Sequence, residues 1–441
     1  MSNILQLRLI AREIFDETLR AVDAGAALRE AVHLKGGRLW IGKVSFDIGE
    51  RSVYSVAIGK AALPMAEALA DVLGEKLAAG VISGPARRHG PSLPGSRWQY
   101  FEGGHPLPNE QSLRAADAAF DLLDRANKES ALVVFLVSGG GSAMMEWPIN
   151  DEITLEDLQN ANRILVNSGA SIAQINSVRR TFSAIKGGRL AARAPNCDQI
   201  TLIVSDVPKR RERYVSSGPS LAPRKDAPHA DKVISRFNLG AQLPASIMKA
   251  VYKPAPPEDA PKARREHFVL LDNGSAVKEA FAEALARGFT ANWATNISDQ
   301  SIDDGCKKLV DAVQTLGHEY EKACLISGGE FACPVRGNGI GGRNLETALR
   351  LAIAFDQNPQ VVNQFVALCA GTDGIDGNSP AAGAIVDSTT IERARKIGLA
   401  PNDFLNRSDS YSFFVALGDV ITTGPTGTNV RDLRILLTGR R

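Results

Sequence analysis

Apolar and polar positions along this chain fall into blocks that switch between two periods. Ala131-Leu-Val-Val-Phe-Leu-Val137 is an unbroken apolar run, which predicts a strand buried on both faces, as in a parallel sheet. Ser52–Ile58 and Gln199–Val204 carry the same short signal, and Gly80–Ile82 and Trp98–Phe101 read as further strands. Helical spacing fills the gaps: Ala61–Leu73, Glu110–Ala126, a helix opened by the capping box Thr154-Leu-Glu-Asp157, and one from about Ser171 that ends at Lys186-Gly-Gly-Arg189. Strand and helix in alternation predict an α/β protein built on a doubly wound parallel sheet.

The pattern breaks between Leu221 and Lys262. Pro223, Pro228, Pro244, Pro254, Pro256, Pro257 and Pro261 punctuate that stretch, which predicts a connection with short helices at a domain boundary. A second α/β series follows: strand His267–Leu271, helix Ser275–Ala286, strand Phe289–Ala294, helix Ile302–Leu316 and strand Ala323–Ile326. Two domains are therefore expected, a larger Rossmann-like one over residues 1–250 and a smaller α/β one over 265–441, with no internal repeat.

Bulk composition removes several classes. Net charge is only +2 over 441 residues, so nothing points to a nucleic-acid partner. No apolar run approaches the roughly 18 residues a membrane span needs, and residues 1–27 lack the apolar centre of a signal peptide. The five cysteines are scattered without a CxxC pair, which suggests reduced thiols and a cytoplasmic enzyme.

The chemistry concentrates in glycine-rich loops. The apolar run at 131–137 empties into Ser138-Gly-Gly-Gly-Ser142. Consecutive glycines uncover backbone N–H groups and suit a phosphate or carboxylate cradle at the carboxyl edge of a sheet. Lys60 follows a glycine at another strand end, where an ammonium can reach an anion. Gly337-x-Gly339-x-x-Gly342 matches the dinucleotide fingerprint formally, but its acid, Asp356, sits at a helix end before the next strand begins, so the context fails. No Gly-x-x-x-x-Gly-Lys-Ser/Thr sequence occurs. Arg343 opens a helix directly after these glycines and can grip phosphoryl oxygens in a bidentate way. Asp373 and Asp376 stand in Thr-Asp-Gly-x-Asp-Gly, where acids hold Mg²⁺, accept a hydroxyl proton or simply form Asx-turns.

In order along the chain, Ala57-Ile-Gly-Lys-Ala61, Gly104-His-Pro-Leu-Pro108, Ser138–Ala143, Ile175-Asn-Ser-Val-Arg179, Ile185-Lys-Gly-Gly-Arg-Leu190, Ser205-Asp-Val207 and Ser217-Gly-Pro219 precede Gly341-Gly-Arg-Asn344, Thr372–Gly377 and Thr423–Val430. With these motifs the chain resembles the class II glycerate 2-kinases, whose C-terminal part is the MOFRL module. The resemblance implies phosphorylation of the 2-hydroxyl of D-glycerate by ATP with Mg²⁺, in a cleft between the larger domain and the module, by a monomer or homodimer. It implies Lys60, Arg343, Asp206 and Asp373 as catalytic groups. Ser138, Gly139, Gly140, Gly141, Ser142, Lys186, Gly341, Gly342 and Asn344 are expected to bind the nucleotide, and Asp206 and Asp376 the metal.

One departure stands beside that site. Family members usually continue Ser-Asp-Val with Val-Gly-Asp-Asp-Pro, and this chain has Pro208-Lys-Arg-Arg-Glu-Arg213 instead. The basic cluster either meets a more anionic acceptor or forms a solvated loop. Two other readings compete with the kinase: an NAD(P)H-dependent hydroxypyruvate reductase of tartrate or glyoxylate metabolism, and a non-catalytic sugar-acid or nucleotide sensor. The displaced Asp356 and the scarcity of motif histidines, His105 apart, count against the first. Phosphoryl-transfer groups in both halves count against the second.

Overall fold

The computed structural model describes residues 3–86, 97–253, 262–357 and 364–439. The chain forms two compact units, one of Ala24–Leu270 and one of Met1–Asp23 together with Leu271–Arg441.

The 24–270 unit begins with a small antiparallel meander, β1 (Val32–Lys35), β2 (Arg38–Ile41) and β3 (Val44–Asp47). Its main sheet holds β4 (Val53–Ile58), β5 (Leu77–Gly84), β6 (Trp98–Glu102), β7 (Leu132–Ser138), β8 (Asp198–Val204) and β9 (Arg265–Leu271) in the order β6-β5-β4-β7-β8-β9. The pairs β4–β5, β5–β6, β4–β7 and β7–β8 are all parallel. Every residue of β4 and β7 is buried, as their unbroken apolar runs predict. Tyr54, Val56, Phe135 and Val137 pack against Ala115, Ala119 and Leu123 of the helix Glu110–Lys128. Since the chain runs outward from β4 to β6 and then returns to β7, the strand order reverses between β4 and β7. The loops after those two strands thus share the crevice where open α/β sheets bind ligands.

The other unit carries β10 (Thr290–Trp293), β11 (Lys322–Gly329), β12 (Phe365–Gly371), β13 (Gly383–Asp387), β14 (Val420–Ile421) and β15 (Asp432–Gly439), ordered β10-β11-β15-β12-β13-β14. The last strand inserts between β11 and β12 and runs antiparallel to both, so this is a mixed sheet.

Three expectations shift. The helix Asn3–Ala21 belongs with the second sheet rather than with residues 24–250. Leu7, Ala11, Ile14 and Phe15 pack among Leu368, Ile435 and Val277, and Arg8 bridges Asp387 at 2.5 Å and Asp419 at 2.6 Å. β9, expected to open the second domain, is the edge strand beside β8, where Gln199 N–H donates to the Arg264 carbonyl at 2.8 Å. The helix capped by Ser171 stops at Phe182, because the chain turns there to bridge Ser183 to Pro148. Among the described residues no helix is long and apolar enough to cross a membrane, and all five cysteines are free thiols.

Candidate functional site

The loops after β4 and β7 are laced together by their backbones. Lys60 N–H donates to the Gly139 carbonyl at 2.9 Å, Ala61 N–H to Ser138 Oγ at 3.0 Å, and Ser216 Oγ to the Ser138 carbonyl at 2.5 Å. Glycine at 139 leaves room for Asp206: a Cβ there would stand 2.1 Å from Asp206 Oδ2 and push that carboxylate aside. A Cβ on Gly140 would lie 3.3 Å from both Lys60 Cγ and His105 Cδ2. The structure thus brings Ser138, Gly139, Gly140, Lys60, Asp206 and His105 to one crevice. Gly141 is buried against Ser216 and Ile58. Ser142 Oγ lies 2.8 Å from Ser217 Oγ, a residue the sequence singled out only within Ser-Gly-Pro.

Lys186 is elsewhere. Its side chain and that of Glu146 are both fully enclosed, and the Lys186 ammonium pairs with Glu146 Oε2. Glu146 also accepts from Ser183 Oγ and from Trp147 N–H. Burial lowers the Lys186 pKa against the pull of Glu146. The expectation that Lys186 binds nucleotide is replaced by an internal ion pair, because its ammonium is already spoken for beneath the surface.

In the other unit, Arg343 opens the helix Arg343–Gln357. Its Nε donates to Asp432 Oδ2 at 2.5 Å and its Nη2 to Asp432 Oδ1 at 3.1 Å, while Glu330 lies 2.8 Å from Nη2. Asp432 went unnoticed in the sequence; only its contact with Arg343, 89 positions away, marks it. Gly341, Gly342, Arg343, Phe331 and Asn378 line a cavity of about 420 Å³.

Asp376 turns inward. It caps the same helix, accepting from Leu345 N–H at 2.8 Å and from the Asn344 backbone and side-chain N–H groups at 3.1 Å each. A Cβ on Gly342 would meet Asp376 Cγ at 2.5 Å, so the glycine lets the cap form. Burial pushes the Asp376 carboxyl up to about 7, with the Leu345 N–H opposing and the Asp432 charge adding to the rise. Both Asp376 oxygens are committed to the helix end, and Asn344 is equally buried, its Oδ1 without a hydrogen-bond partner. Asp373 is half-buried and accepts from Ile375 N–H at 3.2 Å in an Asx-turn. Among the described residues no group of three or more His, Cys, Asp or Glu is arranged to hold a metal.

Asp356 lies on the 343–357 helix, 2.6 Å from Arg395, which removes the last support for a dinucleotide fingerprint. In the basic segment Lys209, Arg210 and Arg211 are exposed, and Arg213 Nη1 donates to the Ala222 carbonyl at 2.8 Å.

Comparison with known proteins agrees with this architecture. Residues 10–252 match the family described as a domain of unknown function (DUF4147), and residues 323–432 match the MOFRL family. A D-glycerate 2-kinase of Thermotoga maritima is 35% identical over 436 residues, covering 97% of this chain and 98% of the relative. The chain belongs to the class II glycerate 2-kinase family. The crystal structure of a Thermotoga maritima glycerate kinase superposes with a TM-score of 0.81 at 32% identity, over 98% of this chain and 99% of that one. A relative from Agrobacterium vitis, 34% identical over 87% of this chain and 98% of its own length, carries the provisional name of a hydroxypyruvate reductase.

Proposed function

We propose that this protein transfers the γ-phosphoryl group of ATP to the 2-hydroxyl of D-glycerate. The observation that carries the reading is the crevice after β4 and β7, where Lys60 N–H bonds the Gly139 carbonyl and the Asp206 side chain lies against the Cα face of Gly139. Phosphoryl transfer asks for positioning and charge neutralisation more than covalent chemistry, and each unit supplies groups suited to it. Lys60 supplies a compact point charge for phosphate oxygens. Arg343 supplies a planar guanidinium held in orientation by Asp432 and Glu330. Asp373, the more exposed acid of its loop, is the acceptor for the hydroxyl proton.

The residues present fit a Mg²⁺ bound chiefly through phosphates. Kinases often hold that ion by one or two carboxylates plus the nucleotide, and Asp206 beside Gly139 is a carboxylate of that kind. The ion would supply neutralisation of developing charge. The free thiols suit a reducing compartment such as the cytoplasm.

The test is a pair of assays on the purified chain: ADP release with D-glycerate, ATP and Mg²⁺, against NAD(P)H oxidation with hydroxypyruvate. Glycerate-dependent ADP release is expected. Reductase turnover without ADP release would replace the reading with the one in the Agrobacterium vitis relative's name.

A further inference from the structure

The helix Ile172–Phe182 turns one face toward the serines beside the glycine cradle. Ser142 Oγ meets Ser217 Oγ at 2.8 Å, and Ser217 Oγ donates to Asn176 Oδ1 at 2.9 Å. Arg179 stands three residues on, on the same face of the helix. Asn176 is 1% exposed and its Nδ2 has no hydrogen-bond partner. Arg179 is 9% exposed, its Nε is buried without a partner, and its guanidinium makes no hydrogen bond or ion pair among the described residues.

This is a charge imbalance as well as a bonding one. Arg179, Lys186 and Glu146 interact across the interior as two cations and one carboxylate. Glu146 is already taken by Lys186, Ser183 and Trp147 N–H, so one positive charge is left over where water is scarce. Burial lowers the Arg179 pKa to about 10, with Glu146 opposing the fall, and at neutral pH the guanidinium is charged. Buried charges are ordinarily paired, because an unpaired one is costly. The two unsatisfied groups are both donors, so what completes them is an acceptor. A charge of minus one completes the balance, and a planar carboxylate matches the fork of a guanidinium. A nucleotide polyphosphate carries several negative charges and would overbalance the cluster.

We propose that Arg179 and Asn176 hold the carboxylate of the acceptor acid, with the Ser142 and Ser217 hydroxyls beside them. They would select hydroxy acids over neutral polyols. This assignment rests on the glycerate kinase reading.

The experiment uses the full chain and the variants Arg179→Met and Asn176→Ala, assayed with D-glycerate and with glycerol, which keeps the hydroxyls and lacks the carboxylate. Arg179→Met is expected to raise KM for D-glycerate by about 10²-fold, in line with truncation of a buried charge partner, and to leave KM for ATP within about threefold. Asn176→Ala is expected to raise the glycerate KM by about tenfold, as a neutral donor does. The preference of Arg179→Met for D-glycerate over glycerol, taken as the ratio of the two kcat/KM values, is expected to fall by about the same factor as its glycerate KM rises. A thermal readout separates binding from scaffolding: without substrate Arg179→Met melts at or above the wild type, because an unpaired charge is gone, and D-glycerate no longer raises its Tm. A glycerate KM unchanged in Arg179→Met, an equal rise in KM for ATP, a retained glycerate-induced Tm rise, or a marked loss of Tm without substrate would each overturn the assignment alone. A wild type that shows no glycerate-dependent ADP release would overturn the kinase reading itself and this assignment with it.

Discussion

Charge balance around Glu146 predicts an unequal response to removing either half of its ion pair. Lys186 and Glu146 have no exposed side-chain surface, and Arg179 adds a second cation nearby. Lys186→Met leaves Glu146 facing Arg179, still accepting from Ser183 and Trp147 N–H, with no net charge. Glu146→Gln leaves two cations and no carboxylate. Breaking a buried pair from one side typically costs about 3–5 kcal/mol, and the two changes should take opposite ends of that range. Since 1 kcal/mol shifts a unit of this size by about 2–4 °C, Lys186→Met should lower the transition of the 24–270 unit by roughly 6–12 °C, and Glu146→Gln by roughly 10–20 °C. The double variant removes both charges and should recover part of the Glu146→Gln loss, since an apolar substitute for a whole pair is often near neutral. Differential scanning calorimetry of the three proteins decides. A Lys186→Met loss equal to or larger than that of Glu146→Gln would refute the charge accounting, and with it the view that Arg179 is the surplus cation.

Other outcomes follow from the same geometry. Lys60→Ala and Arg343→Ala should each lower turnover by roughly 10²-fold or more with the far-ultraviolet circular dichroism unchanged; wild-type turnover in either removes that residue from the mechanism. Asp376, with its carboxyl raised to about 7 in the folded chain, keeps a proton that the unfolded chain has lost. Its contribution to stability therefore falls as pH rises from about 4 to about 7. Asp376→Asn should flatten that slope in urea melts at pH 5 and pH 8, and an unaltered slope would contradict the buried acid as its source. The double change Arg210→Asp and Arg211→Asp, at exposed positions, should leave the acid acceptor's KM and its salt dependence unaltered, with a stability change within about 0.5 kcal/mol; a raised KM that becomes less salt-sensitive would give the cluster a substrate role.

What could be read from the sequence was local. The apolar run of β7 announces a buried strand, and it is there; the glycines behind it form a close-packed turn, Gly139 and Gly141 buried against Asp206 and Ser216, rather than an uncovered loop. The box at Thr154–Asp157 likewise lies within four residues and holds as a helix start. Longer-range facts left no such mark. The helix Asn3–Ala21 shows an apolar face but not which sheet it covers, and Arg8 finds Asp387 across 379 positions. The four-residue strands β1–β3 carry too short an alternation to stand out, and nothing in β15 says that it inserts between β11 and β12.

The two lysines beside glycines show why the site was only partly legible. Lys60 follows a glycine and Lys186 precedes two, so both suggest a cation at an anion-binding loop. The outcome is decided by where the flanking backbone is anchored. Lys60 N–H bonds the Gly139 carbonyl, which holds its residue at the crevice rim, half-buried. After Lys186 the chain turns through Gly187 and Gly188, both at positive φ, and their N–H groups bond the carbonyls of Ser217 and Gly218. That anchoring directs Lys186 into the interior, where Glu146 meets it from 40 positions away. A lysine in a glycine-rich loop is thus a candidate for an anion only while no carboxylate distant in sequence reaches it first. Lys186 is closed off in this way, and the guanidinium of Arg179, whose Nε is buried without a partner, is the cation Glu146 does not satisfy.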